Sequence, residues 1–379
     1  MTAVQANFGV SAKPATAARA QRVVALDALR GLTVLGMIVA NTAAGFHTFP
    51  TLHHSAWVGY TLADSVFPSF IFMVGVSIAF GLGTARAGDT EARRLAFRAV
   101  VWRSLRLLAA GFVVSNLELL RSHEWEYFRI CGVLQRIGLV YFACATLYLA
   151  GGARLWSLLA AGLLLAYWPV TLLPHPDGPT DLAAAAQNYV SWVDRTLLGD
   201  HDWVRGPRGF DPEGVLGVFP AIAQGLIGVL AGSWMRRRGP TAAAAGGLVL
   251  AGLVCLVAGL AWSTVFPPVK ALWTSSFVLI SSGAPLILLG FFWWALDIRR
   301  IKLPGLVLLM AFGVNAIFAY VLHEVGSVIL EWPIFQQLLD AATPLVGAQA
   351  AALAPVGLFV ALVWIPLVVM YRRGWIVRI

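Results

Sequence analysis

The chain has 379 residues, 59% of them hydrophobic and only 12% charged, with a mean hydropathy of +0.78. So little charge over such a length excludes a soluble domain and implies an all-α, polytopic transmembrane helix bundle. The net charge of +9 raises nucleic-acid binding as an alternative, to be judged by where the charge lies.

Residues 1–21, with Lys13 and Arg19 among Ala and Thr, lack the continuous apolar core of a signal peptide. They are expected to form a disordered cytoplasmic tail that is not cleaved, ahead of a single transmembrane domain over 22–379. Apolar windows predict helices near 24–46, 62–83, 100–117, 133–150, 155–173, 215–235, 241–262, 273–296, 304–329 and 349–371, about ten spans. Lys and Arg in short loops mark the cytoplasmic side. Arg86, Arg93, Arg94 and Arg98 follow the second window, Arg236, Arg237 and Arg238 the sixth, Arg299, Arg300 and Lys302 the eighth, and Arg372 and Arg373 the tenth. Each cluster follows an even-numbered span, so both termini are expected to be cytoplasmic. The same bias explains the net charge without nucleic acid.

The loops 47–61, 118–132, 174–214, 263–272 and 330–348 are then expected outside. The longest, with His175, Trp192, His201 and Trp203, reads as a partly ordered lid. No similarity between halves is visible, so an inverted-repeat transporter gains no support. Cys131, Cys144 and Cys255 are odd in number and lack metal-type spacing; they read as packing residues.

The stretch from His54 through Trp57 to Asp64 runs without a break into an apolar helix. An imidazole titrates near neutrality and can take the proton that an attacking amine loses, although an interfacial His can also simply bond its own loop. Asp64 could hold that imidazole in one tautomer or cap the helix that follows. Asn41, at the outer end of the first span, offers a donor to an oxyanion or an interhelical hydrogen bond. Arg129, Gln135 and Arg136 flank the fourth span. Arg136 lies deep enough to need a carboxylate, with Asp64 and Asp211 as candidates. Asp211 and Glu213 could cap a helix or bind the ammonium and hydroxyls of an amino sugar. The same choice between structure and substrate applies to Lys270, Trp273, His323 and Glu324. On the inner side, Arg30, Arg103 and Arg106 are either membrane anchors or contacts for phosphates.

Asp27-Ala-Leu-Arg-Gly31, Val39-Ala-Asn41, the His54–Gly75 stretch and Gly132-Val-Leu-Gln-Arg136 resemble the heparan-α-glucosaminide N-acetyltransferase family. Phe210-Asp-Pro-Glu-Gly214, Leu272-Trp-Thr-Ser-Ser276, Phe312-Gly-Val-Asn315 and His323-Glu-Val325 continue the resemblance in order, over roughly residues 22 to 330. It implies a membrane acetyltransferase that takes acetyl from cytosolic acetyl-CoA and delivers it to the amine of a glucosamine-type sugar on the other side. The family's catalytic His stands three residues before the motif's Trp, which selects His54 over His53 and His47. Where the family usually has Asn after that Trp, this chain has Val58. The implied roles are His54 as general base with Asn41 and Asp64; Trp57, Gln135, Arg136, Asp211, Glu213, Lys270, Trp273, His323 and Glu324 toward the sugar; and Arg30, Arg103 and Arg106 toward acetyl-CoA. No metal is expected. The expected partners are a small amino sugar, the lipid bilayer and a second copy in a homodimer, with no nucleic acid, and the location implied is a bacterial inner membrane. An amino-sugar permease and a non-catalytic membrane protein of amino-sugar use remain the alternatives.

Overall fold

The computed structural model describes residues 23–377; the tail expected over 1–21 lies outside them. All ten apolar windows fall on helices. The major ones are α1 (Val24–Gly45), α2 (Val66–Gly81), α3 (Thr90–Ser115), α4 (Val133–Ala150) and α5 (Ala153–Thr171). Next come α6 (Tyr189–Leu198), α7 (Val218–Arg238), α8 (Ala242–Ser263) and α9 (Ser275–Phe292), the last running on as a π-helical turn, Trp293–Ile298. The chain ends with α10 (Leu306–Val314), α11 (Ala316–Gly326), α12 (Pro333–Val346) and α13 (Leu353–Arg373).

Eight of the described helices are long and apolar enough to cross a membrane, and the pair α10–α11 adds a ninth if counted as one bent span. The remaining window, the third, lies on α3, which carries Arg93, Arg94, Arg98, Arg103 and Arg106. Those charges keep α3 out of the apolar class; its N-terminus is fixed by Asp89, whose side chain accepts from Ala92 N at 2.8 Å. This is a multi-pass helical membrane protein. The sequence did not foretell α12, which occupies most of the loop expected over 330–348 and buries only Phe335.

Small residues set how closely the helices approach. Without an oil–water difference between neighbours inside a bilayer, van der Waals packing must hold them together, and that packing improves when backbones touch. α2 and α7 meet in this way: a Cβ on Gly75 would lie 1.9 Å from Gly225 O, and one on Gly228 would lie 2.0 Å from Phe72 O. At the basic end of the bundle the first free amides of α1 are capped from afar, with Asp297 accepting from Val24 N (3.0 Å) and Ala25 N (2.8 Å).

The predicted continuous helix over 304–329 is broken. α10 and α11 meet at 87°. Asn315 at the corner is buried; its side chain donates to Trp375 O (3.0 Å) and accepts from Val377 N (2.9 Å). The side-chain amide thus ties the C-terminal segment against the corner, and broken backbone at this depth is tolerated because protein surrounds it or it lines a cavity. The bend turns Ala316, Ile317, Tyr320 and Glu324 toward the bundle interior.

Candidate active site

The loop before α2 is gathered around one carboxylate. Asp64 is wholly buried in a single 3₁₀ turn ahead of the helix. Its Oδ2 accepts from Ser55 N, Thr61 N and Thr61 Oγ1, each at 3.1 Å, and its Oδ1 lies 2.9 Å from His54 Nδ1. Asp64 therefore reaches backward to the loop instead of capping its own helix. Lys270, from the α8–α9 loop, places Nζ 2.9 Å from His54 Nδ1, 3.3 Å from Nε2 and 3.5 Å from Asp64 Oδ1. Nδ1 cannot donate to Asp64 and accept from Lys270 at once. A carboxylate only accepts, so Nδ1–H faces Asp64 and the Lys270 amine meets Nε2. Burial pushes the Lys270 pKa down from its ordinary value, while Asp64 and Glu213 oppose that shift.

His54 lines a cavity of about 200 Å³ with Asn41, Lys270, Glu213, Tyr320 and Glu324. A second cavity of about 410 Å³ reaches toward the basic end and is lined by Arg30, Ser77, Arg103 and Tyr141. Phe70, Ile137, Ala316 and Ile317 line both, forming an apolar waist between them. Arg30 donates to Asp27 Oδ1 (2.9 Å) and Ser77 Oγ (3.0 Å), and the Arg103 guanidinium lies 4.9 Å from the Tyr141 ring centre. A basic mouth, an apolar neck and an ionic chamber thus lie in sequence through the bundle.

Several residues expected at the site lie elsewhere. Trp273, expected near substrate, adopts a left-handed backbone (φ 55°) and is fully buried, its Nε1 donating to Gln224 at 3.1 Å. Trp57 donates to Leu182 O (3.0 Å) and meets Phe210 edge-on, anchoring the 174–214 segment over the bundle. Gln135 is buried against Ser115, and Arg106 lines neither cavity. Asp211 and Glu213 are held by Arg129: Nε and Nη2 meet Asp211 at 3.0 and 2.7 Å, and Nη2 meets Glu213 at 2.6 Å. Of the two, Glu213 alone lines the chamber.

The partnership expected between Arg136 and Asp64 or Asp211 does not form, because both carboxylates are already engaged. Arg136 instead donates to Gly214 O (3.0 Å) and lies 4.9 Å from the Trp273 ring centre, leaving Nε and Nη1 without a partner among the described residues. Asn41 Nδ2 donates to His323 Nε2 (3.3 Å), so His323 holds Asn41 at the chamber wall while staying buried itself. Cys131, near the Arg129 cluster, has its thiol pushed up to about 12, chiefly by burial and then by Asp211. It is no nucleophile near neutrality.

Sequence reasoning missed the waist. Phe70, Ile137 and Ile317 are apolar residues in apolar windows, and nothing local distinguishes those facing a cavity from those facing lipid. It also missed Tyr320, although its spacing of one helical turn from Glu324 puts both on one face.

These features define a class: a multi-pass helical membrane protein with a histidine–carboxylate pair in a chamber joined to a basic mouth. Residues 22–261 match the family described as heparan-alpha-glucosaminide N-acetyltransferase, catalytic, and the chain belongs to that family. The heparan-alpha-glucosaminide N-acetyltransferase of Mus musculus is 28% identical over 361 residues, covering 81% of this chain and 54% of that protein. Its Homo sapiens counterpart is 28% identical over 355 residues, covering 80% and 53%. The chain spans about half the length of these curated relatives.

Proposed function

We propose that the chain is a membrane N-acetyltransferase that moves acetyl from acetyl-CoA to the amine of a glucosamine-type sugar. The observation that carries this reading is the His54–Asp64 pair opening on a chamber that shares its waist with the basic cavity. Acetyl-CoA enters from the basic end, and the Lys and Arg distribution supports a cytoplasmic side for it; the membrane is taken to be a bacterial inner membrane. Arg30 and Arg103 meet its phosphates. The acetyl-bearing arm passes the apolar waist, and the sugar arrives from the opposite end with Glu213 and Glu324 beside its ammonium and hydroxyls.

The sugar arrives as an ammonium, so two protons must leave its nitrogen, and one passes to Glu324 or to solvent to free the amine. The amine then displaces Lys270 from His54 Nε2 and attacks the thioester carbonyl carbon, giving its second proton to that nitrogen while Asn41 donates to the oxyanion. As the intermediate collapses the C–S bond breaks, and the imidazolium returns the proton to the departing sulfur as coenzyme A thiol. Asp64 holds the ring's tautomer and stabilises its cation.

The test is transfer of labelled acetyl from acetyl-CoA to glucosamine by purified protein in lipid. A permease would instead accumulate sugar in vesicles that lack acetyl-CoA, and that result with no transfer would overturn the proposal. Arg103→Ala should weaken acetyl-CoA binding by roughly 1–3 kcal/mol with sugar binding unchanged. Unaltered donor affinity would return Arg103 to anchoring. Tags placed in the 236–240 loop and within 175–205 should report opposite sides of the membrane.

A further inference from the structure

A third cavity, of about 520 Å³, opens at the basic end, lined from the segment 83–87 and from α3, α4, α5 and α7. It shares no lining residue with the cavity assigned to acetyl-CoA. Four arginines line it: Arg86, Arg93, Arg236 and Arg237. Its floor is the stacked pair Tyr148 and Trp156, with ring centres 5.0 Å apart and both rings buried. The Arg86 guanidinium lies 5.1 and 4.8 Å from these ring centres and donates to Gly151 O at 2.7 Å. Arg236 Nη1 donates to Ala79 O (2.9 Å) and Tyr148 Oη (3.0 Å). Its path requires glycine at position 83, where a Cβ would lie 1.5 Å from Nη1. Arg93 Nε donates to Arg86 O at 3.2 Å.

Positive-inside bias accounts for arginines at this end but not for their convergence. Anchoring arginines splay toward headgroups and water, whereas like charges gathered over an aromatic floor repel one another unless an anion lies among them. Among the described residues none of the four forms an ion pair with a carboxylate. An independent observation points the same way: Ser233 Oγ lines the cavity, is buried, and has no hydrogen-bond partner among the described residues. A hydroxyl left unsatisfied beside several guanidinium forks matches the demands of a phosphoryl group, which offers oxygens to bidentate arginines and to one neutral donor.

We propose that this cavity is a second anion site, taking a phosphoryl group from either a membrane-lipid headgroup or a small soluble phosphate ester, and distinct from the acetyl-CoA channel. Arg93 and Arg237 are the residues to vary, because both are exposed.

The test has two arms on purified full-length protein. In the lipid arm, protein in nanodiscs containing phosphatidylglycerol or only phosphatidylcholine is examined by native mass spectrometry for retained anionic lipid. In the soluble arm, pyrophosphate is titrated calorimetrically. One probe should bind wild type and lose at least tenfold in affinity in the Arg93→Gln/Arg237→Gln double variant, while acetyl-CoA affinity stays within twofold. The arm that responds names the source. Protection of Arg86, Arg93, Arg236 and Arg237 from phenylglyoxal by the same probe, mapped on wild type, does not depend on the variant's folding. Probes that neither separate wild type from variant nor protect these arginines would overturn the proposal. A parallel loss of acetyl-CoA binding would also overturn it, by making the cavity part of the donor site.

Discussion

Two ionic clusters stand at the loop end of the bundle, and they differ in how fully their charges are matched. Arg129 forks onto Asp211 and Glu213, lies 4.5 Å from the Trp203 ring centre and is 15% exposed. Burial alone would lower its pKa, but the paired Asp211 and Glu213 outweigh that and hold it higher still. His54, Asp64 and Lys270 instead offer one carboxylate to two basic groups, and the His54 side chain is 41% exposed. The first cluster has no vacancy: it ties the segment before α4 to the segment before α7. In the second, an imidazole nitrogen and an amine share a place that a substrate amine can take. A saturated cluster builds scaffold, whereas an unsaturated one at a cavity can exchange a proton.

The largest expected effect comes from removing the exchangeable group. His54→Ala should lower acetyl transfer by about 10²–10⁴-fold, the usual contribution of a positioned base. Acetyl-CoA should still bind, and thermal stability should change little because the ring is half exposed. A variant that keeps more than a tenth of its activity would remove His54 from the chemistry and break the contrast.

Arg129→Ala should do the opposite. It leaves Asp211 and Glu213 unpaired in a buried setting, so folding stability should fall by about 3–5 kcal/mol. Arg129→Lys should recover only part, because an ammonium lacks the fork that meets both oxygens of Asp211. Thermal unfolding in detergent measures both. An Arg129→Ala protein as stable as wild type would show that the cluster is not scaffold.

Near the saturated cluster lies a carboxylate with no counterion in contact among the described residues. Asp194, on α6, is pushed up to about 7 by burial, with Asp202 and Asp211 adding to the shift while Val215 N–H and Arg136 oppose it. Its folded pKa lies above the unfolded value of 3.8, so its contribution to stability is full below that value. The contribution is lost as pH rises toward 7 and is constant above, at most about 1.4 kcal/mol per pH unit within the window. Unfolding midpoints should therefore fall between pH 4 and 7 more steeply in wild type than in Asp194→Asn. Identical slopes would mean that this carboxyl is already ionised in the folded protein.

These contrasts were unevenly legible in the sequence. The helices were legible because a bilayer demands a continuous apolar window, and a charge inside one is conspicuous. That same rule hid the break at Asn315, since an amide in an apolar run looks the same whether its helix continues or turns. His54 and Asp64 were marked by type and nearness. That Lys270 joins them depends on how the α8–α9 loop folds, which no local pattern records. Arg136 illustrates the limit. Depth correctly demanded compensation for its charge, but the carboxylates named for it were taken by nearer partners, leaving Gly214 O and the Trp273 ring. Trp273 was placed toward the sugar by the family resemblance, yet its left-handed backbone turns it into the core.

The smallest expected effect is a null result, and it sharpens the account of the unsaturated cluster most. Two routes use the same residues: His54 can remove the amine's proton during direct attack, or it can first accept the acetyl group on Nε2 and pass it on. The chamber favours the direct route. It holds Glu213 and Glu324 beside His54, so an ammonium-bearing acceptor and the acetyl-bearing arm can be present together. A deprotonated amine already attacks a thioester well, and an acetyl-imidazole would add an intermediate open to water. Wild type given acetyl-CoA alone should therefore release no stoichiometric burst of coenzyme A and gain no acetyl group on intact mass analysis. An added acetyl that maps to His54 and passes to glucosamine on its addition would establish the two-step route. The role of His54 would then change from proton acceptor to nucleophile, with Asp64 supporting the ring in either case.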